Sequence, residues 1–176
     1  MNYPIANFLT NQYASDNWIH PVNVPSKEVS MIWNEKMNMM KLAKDYDVEN
    51  GHATEFYIWI DAGICSFRNE TPPQIKFNLK NTDSLPKDKI VYAQVLDDNK
   101  EEIFTGSCFV IHKDLIDKMH ALYYEQLVEC KTTKNDDSCG MEQLIFTEIK
   151  KKHPELFYKL GDDYGENIVL LYSKYL

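Results

Sequence analysis

Residues 56–69 read FYIWIDAGICSFRN. Phe56 to Ile60 are large apolar residues in an unbroken run, and Asp61, Ala62 and Gly63 follow at once. A short run that is apolar on both faces marks a strand buried on both faces. A carboxylate is rarely buried without a partner. Asp61 is therefore expected at the carboxyl end of a strand, in a crevice of an open α/β sheet, where such sheets bind their ligands.

Outward from this strand, the chain alternates helical and strand patterns. Ser26 precedes a helical pattern running to about residue 45, with Val29, Ile32, Trp33, Met37 and Met40 as its apolar stripe. The methionines read as core rather than as metal ligands. Residues 65–88, rich in Pro, Asn and Lys, read as a long connection, and loops of that length are often binding loops. Residues 89–96 and 103–111 read as strands, the second interrupted by Thr105-Gly106-Ser107. Residues 114–129 and about 140–152 read as amphipathic helices, and Pro154 stops the second. The segment 161–167 is a turn-rich acidic loop, and 168–173, IVLLYS, is expected as a final strand. Residues 1–27 read as an irregular arm and 28–176 as a single α/β domain.

The 176 residues carry a formal net charge of −8, and Arg68 is the sole arginine among 19 basic residues. No basic face for nucleic acid is expected from such a chain. No stretch approaches the length of a membrane span. The four cysteines, at 65, 108, 130 and 139, form no C-x-x-C pair. Together with a leader-free N-terminus this reads as reduced, buried thiols in a cytoplasmic protein. No G-x-x-x-x-G-K-[ST] is present, which disfavours a P-loop enzyme. Cys108 follows Gly106-Ser107, but nothing positions a base beside it as a cysteine hydrolase requires.

In order along the chain, WNEKMNMMKLA, WIDAG, FTGSCFVIHKD and GMEQLIFTEIKKKHPELFYKLGDD resemble the HtrL/YibB-like proteins, a group that looks like part of the GT-A class of nucleotide-sugar glycosyltransferases. The resemblance covers roughly residues 28–172. It implies a GT-A-like mixed sheet flanked by helices, a nucleotide-sugar donor, a sugar or glycan acceptor, and a divalent cation, Mn²⁺ or Mg²⁺. GT-A enzymes end a buried strand with D-x-D, whose carboxylates hold that cation against the donor diphosphate. Asp61-Ala62-Gly63 matches this motif with Gly63 in place of the second acid. The resemblance thus implies Asp61, Ala62 and Gly63 at the donor.

Each remaining candidate has two readings. Arg68 is a diphosphate clamp or a solvated loop charge. The resemblance implies that Gly106 and Ser107, on its Gly-containing strand, line the acceptor and donor-sugar pocket; the other reading is a plain bulge. Glu142, at a helix start, is an acceptor-side base or hydrogen-bond partner, or simply an acid suited to the helix dipole, and Gln143 beside it is a donor-binding candidate. Asp162 and Asp163 supply the missing metal ligands or form a solvated turn. His112 is a ligand or a cap.

The chain departs from the GT-A pattern upstream of WIDAG. A βαβ unit takes about 30 residues or more, and the segment before Phe56 shows one helix and an Asn/Pro-rich arm. Part of the N-terminal nucleotide-binding half is therefore expected to be missing. A glycosyltransferase and a non-catalytic GT-A-like binding or assembly subunit both remain open. An exposed sheet edge would favour self-association.

Overall fold

The structure is a computed structural model that describes residues 17, 19, 26–61, 82–163, 168, 171 and 172. Two helices open the described chain, α1 (Lys27–Asn34) and α2 (Lys36–Glu49). The Ser26 hydroxyl caps α1 by accepting from the Val29 amide. The single helix expected to about residue 45 is thus divided at Glu35. Met37 and Met40 are buried as expected, whereas Ile32 is exposed, and α1 instead buries the polar Ser30 and Asn34. Asn34 repays this burial with bonds: its amide donates to Ser30 O and Cys139 O, and the Tyr123 hydroxyl donates to its Oδ1.

The strands are β1 (Phe56–Ile60), β2 (Ile90–Leu96), β3 (Glu102–His112) and β4 (Phe157–Asp162), in sheet order β1-β3-β2-β4. β3 runs antiparallel to β1 and β2, while β2 and β4 are parallel. The carboxyl ends of β1, β2 and β4 therefore lie along one side of a mixed, open α/β sheet. Helices α3 (Lys113–Thr133) and α4 (Glu142–Lys152) complete the layer formed with α1 and α2. Along β3, Phe109 and Ile111 join Met37, Met119, Tyr123 and Phe146 in one core, and Cys108 and Val110 join Leu85, Val91, Ile168 and Tyr172 in the other. Side chains alternate across a strand, so the two sets cover opposite faces of the sheet.

The interruption at Thr105-Gly106-Ser107 is a real bulge. Tyr92 pairs with Phe109 and Gln94 with Phe104; between these pairs β2 has Ala93 alone while β3 has Thr105 to Cys108. The extra chain bends β3 locally, and the Thr105 hydroxyl holds the bend by donating to Ala93 O.

Three expectations are corrected. The final strand expected at 168–173 is not found at its described residues: Ile168, Leu171 and Tyr172 are helical, and the Tyr172 hydroxyl donates to Val91 O and Cys108 O. These positions stand at i, i+3 and i+4, which is one face of a helix, although the run is apolar enough to imitate a strand. The fourth strand is instead FYKLGD at 157–162, where Lys159 and Gly161 break the apolar pattern and a register irregularity against β2 breaks the alternation. Finally, Cys130 and Cys139 form a disulfide, with Cα atoms 5.7 Å apart. It ties the last turn of α3 to the 3-10 turn Asp137–Gly140. Disulfides persist in oxidising compartments, so the step from reduced thiols to a cytoplasmic location loses its basis. Among the described residues no helix is long and apolar enough to cross a membrane.

Candidate functional site

β1 delivers Asp61 to the bulge of β3. The Asp61 amide donates to Ser107 O at 2.8 Å, which carries the β1–β3 ladder one residue past the strand. The carboxylate is then gripped from two sides. Trp59 Nε1 donates to Asp61 Oδ1 at 2.6 Å, and Lys36 Nζ lies 3.0 Å from the same oxygen. About a third of the Asp61 side chain (34%) stays exposed, so it faces solvent while its inner side is held.

Lys36, the first residue of α2, is the centre of the arrangement. Its side chain is 1% exposed. Its ammonium donates to Glu142 Oε1 at 2.6 Å and to Gly106 O at 2.9 Å, besides Asp61. A lysine ammonium has three protons, and three acceptors from three different elements take them. Nζ also lies 5.3 Å from the centre of the Trp59 ring.

Glu142 opens α4, where an acid suits the helix dipole, but it lies beneath Lys36 with its side chain 8% exposed. Burial pushes its carboxyl above the ordinary range, and the Lys36 ammonium works against that shift. Gly106 is required here by close approach: a Cβ on it would stand 2.2 Å from Glu142 Oε1. The half-buried Ser107 contributes its carbonyl to Asp61, and its buried hydroxyl has no hydrogen-bond partner among the described residues. Gln143 is half-buried on α4, with its carbonyl accepting from the Thr147 hydroxyl.

Asp61, Gly106, Ser107 and Glu142 are therefore brought together. Ala62, Gly63 and Arg68 lie outside the described residues. Asp162 and Asp163 are elsewhere: Asp162 pairs with Lys159, and the Asp163 amide donates to Gln94 O, at the far edge of the sheet. β3 and β2 stand between them and Asp61, a lateral distance of about 14 Å at normal strand spacing. The three aspartates do not assemble a cage. Among the described residues, the group with metal-ligand spacing is Cys130, Asp136 and Cys139, whose sulfurs are already joined to each other. On its inner side, Asp61 shares with Glu142 and Gly106 a point already taken by an ammonium, which leaves no room there for a divalent cation. His112 takes the capping role, with Nδ1 accepting from the Asp114 amide at the start of α3.

Lys36 and Trp59 were not among the sequence candidates. The signal for Lys36 was present: it stands beside Met37 and at i−4 from Met40, on the buried stripe of its helix. A lysine at a core position demands carboxylate partners.

Next to Lys36, Glu35 is also buried, at 3% exposure. Asn38 donates to its Oε2, and Oε1 has no partner among the described residues. Burial pushes its carboxyl from 4.5 up to about 7. The folded form therefore holds its proton more tightly than the unfolded chain, and stability falls as pH rises from about 4.5 towards 7. Glu35→Gln is expected to match the wild type near pH 5 and exceed it near pH 8 by on the order of 2–3 kcal/mol. Urea unfolding at both pH values checks this, and parallel pH profiles for the two proteins would refute it.

Comparison with protein-family models, with curated proteins and with solved structures gives no match to this chain.

Proposed function

We propose that this chain is a GT-A-type, HtrL/YibB-like glycosyltransferase that transfers a sugar from a nucleotide-sugar donor to a sugar or glycan acceptor. The observation that carries the reading is the meeting of four separated motifs. Asp61 of WIDAG, Gly106 of FTGSC and Glu142 of GMEQ all lie within hydrogen-bond reach of the ammonium of Lys36 in WNEKM. These are the stretches on which the family resemblance rests, and they converge at the carboxyl end of β1. Such an edge of an open α/β sheet is where ligands bind.

In this reading Asp61 is the residue that meets the substrate. It is held between two donors and open to solvent on its outer side. A carboxylate so placed accepts hydrogen bonds from a sugar hydroxyl, or its proton. Glu142 acts as a positioning residue: its reachable oxygen is engaged by Lys36, and its burial keeps acceptors away. Asp61→Asn is expected to lower sugar-nucleotide turnover by about 10²-fold or more with an unchanged melting curve. Activity within a few-fold of wild type would sink the assignment.

The second reading is a GT-A-like binding or assembly subunit without catalysis. It is favoured by one observation: among the described residues β1 pairs only with β3 and forms an edge of the sheet, the kind of edge that a further strand can join. Calorimetric titration with several nucleoside diphosphates, alongside a light-scattering mass, separates the two. Binding by the monomer supports the transferase; a dimer indifferent to every nucleotide supports the subunit.

A further inference from the structure

Three oxygen atoms from three different elements converge on one point of this site. Glu142 Oε1 lies 2.6 Å from it, Gly106 O 2.9 Å and Asp61 Oδ1 3.0 Å. Two carboxylate oxygens and a backbone carbonyl are what a hard divalent cation collects. The point is occupied by Nζ of Lys36. The side chain that brings it is buried, and its ammonium is satisfied on all three protons.

We propose that Lys36 is the resident cation of this site, standing where a divalent metal would stand, so that Asp61 and Glu142 hold no metal and Asp61 works metal-free. The inference depends on the glycosyltransferase reading only for the identity of the ligand; the cation assignment stands on the geometry alone.

Two physical arguments carry it. A divalent ion cannot share the space, because an ammonium 2.6–3.0 Å from the same oxygens repels it and occupies its volume. Nor can the lysine swing aside at small cost. Doing so would leave the buried Glu142 without its counter-charge and the Gly106 carbonyl without its donor. The ammonium also does what a metal would do for Asp61: it sits against the carboxylate and fixes its direction. Because Lys36 is sealed from solvent, it does so without touching the ligand. It is a positioning residue.

The test is a Mn²⁺ titration of the full chain, read by the electron spin resonance of free Mn²⁺ and by quenching of Trp59 fluorescence, since Trp59 bonds directly to Asp61. Wild-type protein is expected to show no Mn²⁺ site that Asp61→Asn removes. Lys36→Ala, whose side chain ends at Cβ, vacates the point and leaves its three oxygens. It is expected to bind Mn²⁺ at least about tenfold more tightly than the wild type, and the gain is expected to vanish in Lys36→Ala/Asp61→Asn. A Mn²⁺ site in the wild type that Asp61→Asn abolishes overturns the proposal. So does a folded Lys36→Ala that gains no Mn²⁺. Should Lys36→Ala not fold, the comparison of wild type with Asp61→Asn decides alone. None of these outcomes depends on turnover, so an inactive but metal-free wild type refutes the transferase reading and leaves the Lys36 assignment standing.

Discussion

Lys36→Met is expected to cost about 3–5 kcal/mol of stability, the range for breaking a buried ion pair by removing one partner. The loss comes less from the missing contacts than from what is left behind. Glu142 is 8% exposed and has its Oε1 on the lysine. Without the ammonium, burial loses its main opponent and drives the pKa of that carboxyl further up. The folded variant then holds a proton that the unfolded chain releases, so its deficit shrinks as the pH falls and the carboxyl becomes neutral. Urea unfolding at neutral and acidic pH measures both effects. Replacing both partners, as in Lys36→Met/Glu142→Leu, is expected to recover most of the loss, since an apolar pair of similar volume often equals a buried ion pair. A deficit under about 1 kcal/mol in the single variant would mean that Glu142 finds another partner.

Gly106→Ala is the second large effect, expected at about 2–4 kcal/mol from overpacking and a disturbed ion pair together. The added Cβ would stand 2.2 Å from Glu142 Oε1 and 2.9 Å from its Cδ. A long surface side chain would swing away from such a clash. Glu142 cannot do so freely, because Lys36 holds the very oxygen that is struck. Either the bulge of β3 straightens or the ion pair opens. The double-mutant cycle with Glu142→Ala distinguishes this mechanism from general strain in the strand. If the clash with Glu142 is the cause, the double variant is less stable by clearly less than the sum of the two singles, with a coupling above about 1 kcal/mol. Additive losses would place the cost of the methyl group elsewhere in the bulge.

Local order in this chain was legible in the sequence wherever a neighbouring residue supplied the signal. The apolar run 56–60 makes β1, but among the described residues it is an edge strand in which only Tyr57 is buried and Ile60 is exposed, not the strand buried on both faces that the run suggests. Ser26 caps α1 through its own hydroxyl, and Pro154 closes α4 by lacking an amide hydrogen. Gly106 announced a bulge or a close approach, and it is both.

Long-range partnership was decided by the tertiary structure alone. Lys36 meets Gly106 and Glu142 across 70 and 106 residues of chain, and no spacing rule reaches that far. Cys130 and Cys139 pair because α3 and the following turn bring their Cα atoms within bonding range. Asp162 and Asp163 looked equivalent to Asp61 as candidate ligands until the strand order set β3 and β2 between them. Propensity and pattern act through the nearest few residues, whereas a functional site is defined by distances between side chains that the chain itself keeps far apart. So the sequence by itself determined which residue ends the decisive strand, and only the packing of α2 and α4 against the β3 bulge decided that a lysine waits there to hold it.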